Sequence, residues 1–177
     1  MKAFTVAELL VVIAIVALTA AISAPAISAA KESAQITRCT GNLHQIGIAV
    51  SLYREEQGEK VAYGHPIDMG LPPMAGDAVG KNWELLQCHA GKGIGAYTQF
   101  WPPKGRVSDE LFERDLPRWL ANVQSQQGSA IMAFDDNHNR EFMSDWETYF
   151  AVGINFDLSL IRKRRRGFPS KPGWWKP

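Results

Sequence analysis

The sequence predicts an α+β fold in which one long N-terminal helix, apolar in its first half and amphipathic in its second, packs on a small antiparallel sheet. Three observations carry this. Phe4 to Ala30 is almost wholly apolar, with Glu8 its single charge. Just beyond, Ile36, Cys39, Leu43, Ile46, Val50 and Tyr53 recur at spacings of 3, 4, 3, 4 and 3, one apolar stripe on a helix. Toward the other end, Ala130 to Phe134 and Tyr149 to Ile161 read as strands, and a helix laid on them buries both apolar faces.

The apolar run exceeds the roughly 20 residues that cross a bilayer, so it is classified before any fold reasoning. A cleaved secretory signal accounts for Lys2 and for the small residues around Ser23-Ala24-Pro25, but not for Glu8. A plain signal anchor accounts for the length and again not for the acid. In hydrocarbon a carboxylate costs a few kcal/mol and usually has a partner. The α-amine of Phe4, if freed by cleavage, is the nearest cation, four residues away on the same helix face. A neighbouring subunit's amine serves equally. A third alternative is an acid that merely reaches the headgroups.

Past the apolar run, Lys31, Glu32, Arg38, Asn42, Arg54 and Glu55 fall largely off the stripe, as expected of an amphipathic continuation. Gly58 is a stop signal, and Pro25 and Gly41 are places for a kink. Gly64, Pro66, Gly70, Pro72, Pro73, Gly76 and Gly80 mark a long crossing loop. Asn82 to Gln87 fits a short helix. Ser108 caps a second helix with Asp109 and Glu110 in its first turn, and Pro117 breaks or restarts it before Trp119, Leu120 and Val123. A polar stretch, Asp135-Asp136-Asn137-His138-Asn139, joins the two strand runs. The chain beyond Val61 suffices for one small domain.

The string Phe4-Thr5-Val6-Ala7-Glu8-Leu9-Leu10-Val11-Val12-Ile13-Ala14-Ile15-Val16-Ala17 resembles the cleavage and methylation segment of type IV pilins and type II secretion pseudopilins, and Pro25 stands where that family often has a proline. The resemblance implies a leader of residues 1–3, a cut between Ala3 and Phe4 (Gly is usual where Ala3 stands), and methylation of the new amine. It also implies an assembly role for Glu8 and Pro25. Cys39-Thr40-Gly41-Asn42-Leu43-His44-Gln45-Ile46-Gly47 is similar to a group of planctomycete-type pseudopilin-like proteins. Gly153-Ile154-Asn155-Phe156-Asp157-Leu158 is similar to their last strand, with Leu158 where Gly is usual. The implied layout is a leader at 1–3, a transmembrane or filament-core helix at 4–30, its amphipathic continuation at 31–57, a globular head at 58–161 and a basic Trp/Pro-rich tail at 162–177. The implied partners are copies of the chain in a helical filament, a prepilin peptidase, pilus or secretion machinery, and the inner membrane before an extracellular or periplasmic filament forms. No cofactor is implied.

Such a head faces an oxidising compartment, where Cys39 and Cys88 are expected to form a disulfide; two buried thiols, or a zinc set of Cys39, His44, Cys88 and His89, are the alternatives. On a helix, positions five apart diverge, which weakens the zinc set. Asp135, Asp136, Asn137, Asn139 and Asp145 form an oxygen-rich cluster, a weak calcium candidate whose spacing matches no twelve-residue calcium loop. No phosphate loop, Gly-x-Ser-x-Gly or His-Glu-x-x-His occurs, so catalysis is not expected. Arg162, Lys163, Arg164, Arg165, Arg166, Lys171 and Lys176 supply 7 of the 19 basic residues, leaving 12 basic against 18 acidic before them. A basic tail on an acidic body fits attraction to a neighbouring subunit. The rival is binding of nucleic acid, polysaccharide or anionic lipid, with Trp174 and Trp175 stacking on bases or sugars; a solvated tail is the third possibility.

Overall fold

The computed structural model describes residues 5–80, 82–88, 95–99, 101, 109–139 and 147–175. The architecture is α+β, and the chain divides into two compact units, residues 1–36 and 37–177. Helix α1 runs from Val6–Glu56 without interruption at Pro25. In the first unit, described residues 5–34 are exposed throughout, and the helix is long and apolar enough to cross a membrane.

The second unit begins where the apolar stripe becomes buried. Cys39, Leu43, Ile46 and Val50 are at most 2% exposed, as their 3–4 spacing predicts. One expectation fails here. Arg54 lies four residues beyond Val50 and is buried too, because its donors have partners: Nε donates to the Met69 carbonyl at 2.9 Å, Nη2 to that of Ala62 at 3.1 Å, and Glu59 pairs with it at 2.9 Å. The guanidinium also stacks over Phe156. The helix ends at Glu56, and Gly58 follows at φ +72°, the left-handed conformation that glycine adopts at a helix C-terminus.

After α1 come a one-turn helix α2 (Ala75–Ala78), a 3₁₀ turn at Trp83–Leu86 and the short pair β1 (Gln87–Cys88) and β2 (Gly95–Ala96). The main sheet is antiparallel, in the order β3 (Thr98–Gln99), β4 (Ile131–Asp135), β5 (Thr148–Asn155) and β6 (Leu160–Arg166). Helix α3 (Asp109–Gln126) precedes β4 and turns Leu116, Trp119 and Val123 inward. It passes through Pro117 unbroken, contrary to the sequence expectation. Ser108, its expected cap, lies outside the described residues, as do Ala3, Phe4, His89 and Asp145.

Two sequence expectations are corrected at the C-terminal end. Tyr149 to Ile161 is not one strand: residues 156–159 form a tight turn between β5 and β6, held by Asn155 N donating to the Ser159 carbonyl at 3.0 Å. Leu158 takes the left-handed conformation (φ +66°) where a glycine is usual, at a cost of about 1–2 kcal/mol. The turn forms anyway because Asp157 Oδ1 accepts hydrogen bonds from both the amide and the hydroxyl of Ser159. Second, Arg162–Arg166 is not a tail. It pairs along β5, with Arg162 opposite Val152, Arg164 opposite Phe150 and Arg166 opposite Thr148.

The central strand β5 is covered on both faces. Ile154 reaches α1 at Gly47, where a Cβ would collide with Ile154 Cδ1 and lie 3.2 Å from Met132 Cε. The next residue back, Gly153, points the other way, where a Cβ would meet Trp175 at 2.8 Å and Ile131 at 2.9 Å. Gly47→Ala is therefore expected to destabilise the head by about 1–2 kcal/mol, overpacking outweighing the helix propensity gained. Gly41, with open space around it, serves as the control. Gly41→Ala is expected to stabilise by up to about 1 kcal/mol, both read from denaturation midpoints of the detergent-solubilised chain.

Candidate functional site

At the head of α1, Thr5 and Glu8 form a reciprocal cap. Glu8 Oε2 accepts from the Thr5 amide and from its hydroxyl, both at 2.8 Å, while Thr5 Oγ1 accepts from the Glu8 amide at 3.3 Å. This is the Thr-x-x-Glu capping box, which closes orphan donors at a helix start. The spacing was legible in the sequence, yet reading Glu8 only as a charge in an apolar run obscured it. Lower in the same helix, Thr19 and Ser23 return their hydroxyls to carbonyls one turn back, which suits an apolar environment where every polar group needs a partner.

Cys39 and Cys88 form a disulfide across 49 residues, with Cα atoms 5.5 Å apart. It ties α1 to β1. Tyr97 packs against the pair and donates its hydroxyl to the Cys39 carbonyl at 3.1 Å. Burial, and then the charge of Asp135, pushes that phenol above its ordinary range. A bridge closing a loop of this size contributes about 4 kcal/mol through the unfolded chain.

The oxygen-rich cluster does not gather as a calcium cage among the described residues. Asp135, the last residue of β4, is fully buried and turned toward His138 and the two sulfurs. Asp136 does not join that group. Burial and the charge of Asp135 raise its carboxyl above the ordinary range. Asn139 binds the backbone of Phe150 on both sides, accepting from its amide at 2.7 Å and donating to its carbonyl at 2.7 Å. His44, proposed from sequence as a metal ligand, is absent from the group. His138, which sequence reasoning passed over, is in it; the Asp-x-x-His spacing at a strand end was the available signal.

The basic segment and the tryptophans are placed differently from expectation, in a strand and in the core. β6 is an edge strand with Arg162, Arg164, Arg165 and Arg166 exposed. A charged edge resists pairing with another strand. Beyond it the chain folds back onto the sheet, and Trp174 and Trp175 are 4% and 5% exposed, packed with Ile131, Phe134, Tyr149 and Ala151. Both indole N–H groups are satisfied, Trp174 by the Arg165 carbonyl at 3.2 Å and Trp175 by the Pro169 carbonyl at 2.7 Å. Lys163 Nζ donates to the Trp175 carbonyl at 3.1 Å, and desolvation there, with Arg165 nearby, lowers its pKa. The rings are core, so stacking on bases or sugars is not open to them. What stays accessible is an open cleft of about 340 Å³ lined by Arg118, Arg165, Arg166, Lys171, Phe168 and Trp174.

Compared with known proteins, the chain matches no protein-family model, no curated protein and no solved structure.

Because Trp175 fills the sheet face opposite α1, Trp175→Ala is expected to lower stability by about 3–5 kcal/mol. Thermal melting followed by near-ultraviolet circular dichroism measures it; an unchanged melting temperature would return these residues to a solvated tail.

Proposed function

We propose that this chain is a pilin-like subunit of a type IV pilus-like or pseudopilus filament, held in a membrane by the first half of α1 before assembly and built into a fibre through that same segment. One observation carries the reading: every described large apolar side chain from Val6 to Ile27 is exposed along a continuous helix, and Glu8 is the only charge in that stretch. Covering each such side chain is worth about 1.5–3 kcal/mol relative to water, so this segment needs lipid or other helices around it. Ala7, Ala14, Ala17, Ala21, Ser23, Ala24 and Ser28 are small enough to let neighbouring helices approach closely. The covalent clamp between α1 and β1 suits a head that works outside the reducing cytoplasm.

In this reading a peptidase cuts between Ala3 and Phe4, and the new amine is the cation that Glu8 meets, in its own chain or in a neighbour. Among the described residues, Glu8 is bonded to Thr5. An incoming amine neutralises the carboxylate in a low dielectric, so the pair sets register more than stability.

The capping box supplies a discriminating variant. Glutamine also caps at this position, so Glu8→Gln keeps the helix start and removes only the charge. Filaments are expected to be lost or strongly reduced in both Glu8→Gln and Glu8→Ala cells, counted by electron microscopy of sheared material. Wild-type filament numbers with Glu8→Gln would reduce Glu8 to a cap and remove the charge from the assembly step.

A second reading, a minor filament subunit that binds nucleic acid or an acidic polysaccharide, draws on the cleft between Arg118, Arg165, Arg166 and Lys171. Binding of this kind falls steeply with salt. Arg118→Glu together with Arg166→Glu is expected to leave filaments intact and abolish retention on heparin if that reading holds.

A further inference from the structure

Four metal-ligating side chains meet at the disulfide, two of them its own cysteines. Cys39 and Cys88 sulfurs, the His138 Nε2 and an Asp135 carboxylate oxygen all lie within 4.8 Å of one another. They come from three separate stretches: Cys39 from α1, Cys88 from β1, and Asp135 with His138 from the end of β4 and the turn after it. Sequence alone could not assemble them.

The geometry distinguishes a metal set from a catalytic relay. His138 Nε2 lies 3.2 Å from Asp135 Oδ2 and 3.5 Å from Cys88 Sγ. One ring nitrogen therefore faces both groups. A Cys-His-Asp relay uses the two ring nitrogens separately, one for the nucleophile and one for the acid. Here a single imidazole nitrogen faces the acid and the sulfur together. Those separations are close to the edges of a tetrahedron around zinc, about 3.3–3.8 Å for ligand bonds of about 2.0–2.3 Å.

Asp135 gives the independent sign of a missing partner. Its Oδ1 is occupied, accepting from the Asn137 amide at 3.0 Å and from the Asn137 side chain at 2.6 Å. Its Oδ2 is fully buried, accepts no hydrogen bond among the described residues, and faces His138 Nε2 at 3.2 Å. A buried carboxylate oxygen that accepts no hydrogen bond is expensive, and this one faces the cluster. The site is also rigid: His138 packs edge-on against Phe150, Asn139 ties the turn to β5, and Tyr97 fixes the Cys39 backbone.

We infer that the dithiol form of this chain binds one thiophilic divalent cation of the zinc class through Cys39, Cys88, His138 and Asp135. The donor set, two sulfurs with one nitrogen and one oxygen, is soft and suits zinc or cobalt over calcium or magnesium. Metal and disulfide exclude each other, since both use the same two sulfurs. Going from one to the other takes two electrons. A phosphine reductant supplies them, its phosphorus becoming the phosphine oxide with oxygen from water while the S–S bond becomes two thiols. The thiols then release two protons as thiolates bind the ion. This site is independent of the filament reading.

The test uses the full-length chain in detergent, reduced with a water-soluble phosphine, desalted and titrated anaerobically with cobalt(II) and then zinc(II). The reduced chain is expected to take one equivalent of cobalt, with the intense visible bands of a tetrahedral site and a thiolate charge-transfer band, both erased by zinc. The oxidised chain is expected to take none. His138→Ala and Asp135→Asn are each expected to weaken cobalt binding at least about tenfold. Each variant is checked first for its disulfide and its circular dichroism in the oxidised state. If Asp135→Asn does not fold, the wild-type and His138→Ala titrations decide. The inference is overturned if the reduced wild type binds no cobalt, if His138→Ala binds as tightly as wild type, or if the oxidised chain binds equally well.

Discussion

Burial of the α1 stripe against the sheet is the interaction on which the rest depends. From Cys39 to Arg54 the inward side chains of this helix are committed to the head, and Gly47 lets the backbone come close enough for Ile154 and Met132 to fill the space that a side chain would occupy. The other sheet face is closed by Trp174 and Trp175, delivered from the end of the chain. Neither cover replaces the other, because β5 exposes apolar side chains alternately to both sides. With the second half of the helix used in this way, the first half has only its own turns to pack on, and residues 5–34 remain exposed. A helix whose two halves face such different surroundings is the physical basis of the proposed filament subunit.

Electrostatics here is arranged by position more than by net charge. Arg54 is tolerated in the core because two carbonyls and Glu59 take up its donors. The arginines of β6 lie on the sheet edge, where charge discourages a further strand and where Arg164 also covers the Phe150 ring. At the other end, Glu8 is a cap and a charge at once. Those two roles make different demands on the side chain, which is why glutamine and alanine report on different things.

The helical parts of the fold were legible in the sequence. A 3–4 repeat through Cys39, Leu43, Ile46 and Val50 has only one structural reading, and the disulfide followed from the compartment that the apolar segment implies. The C-terminal strands were harder for local reasons. Leu158 in a left-handed turn hides the break between β5 and β6, since nothing in a leucine announces positive φ. Five successive cations read as a basic tail, although an edge strand accepts them. Pro117 read as a breaker, but a helix can carry one. The Asp135–His138 constellation needed the tertiary fold, since it joins residues from α1, β1 and the turn after β4.

The central claim is that Phe4 becomes a free, methylated N-terminus inside a fibre. Intact mass and N-terminal sequencing of the chain recovered from the cells that make it, alongside electron microscopy of sheared surface material, test it most directly. The account predicts chains beginning at N-methylated Phe4 within regular filaments. Chains beginning at Met1, or cut near Ala24, with no filaments present, would contradict it.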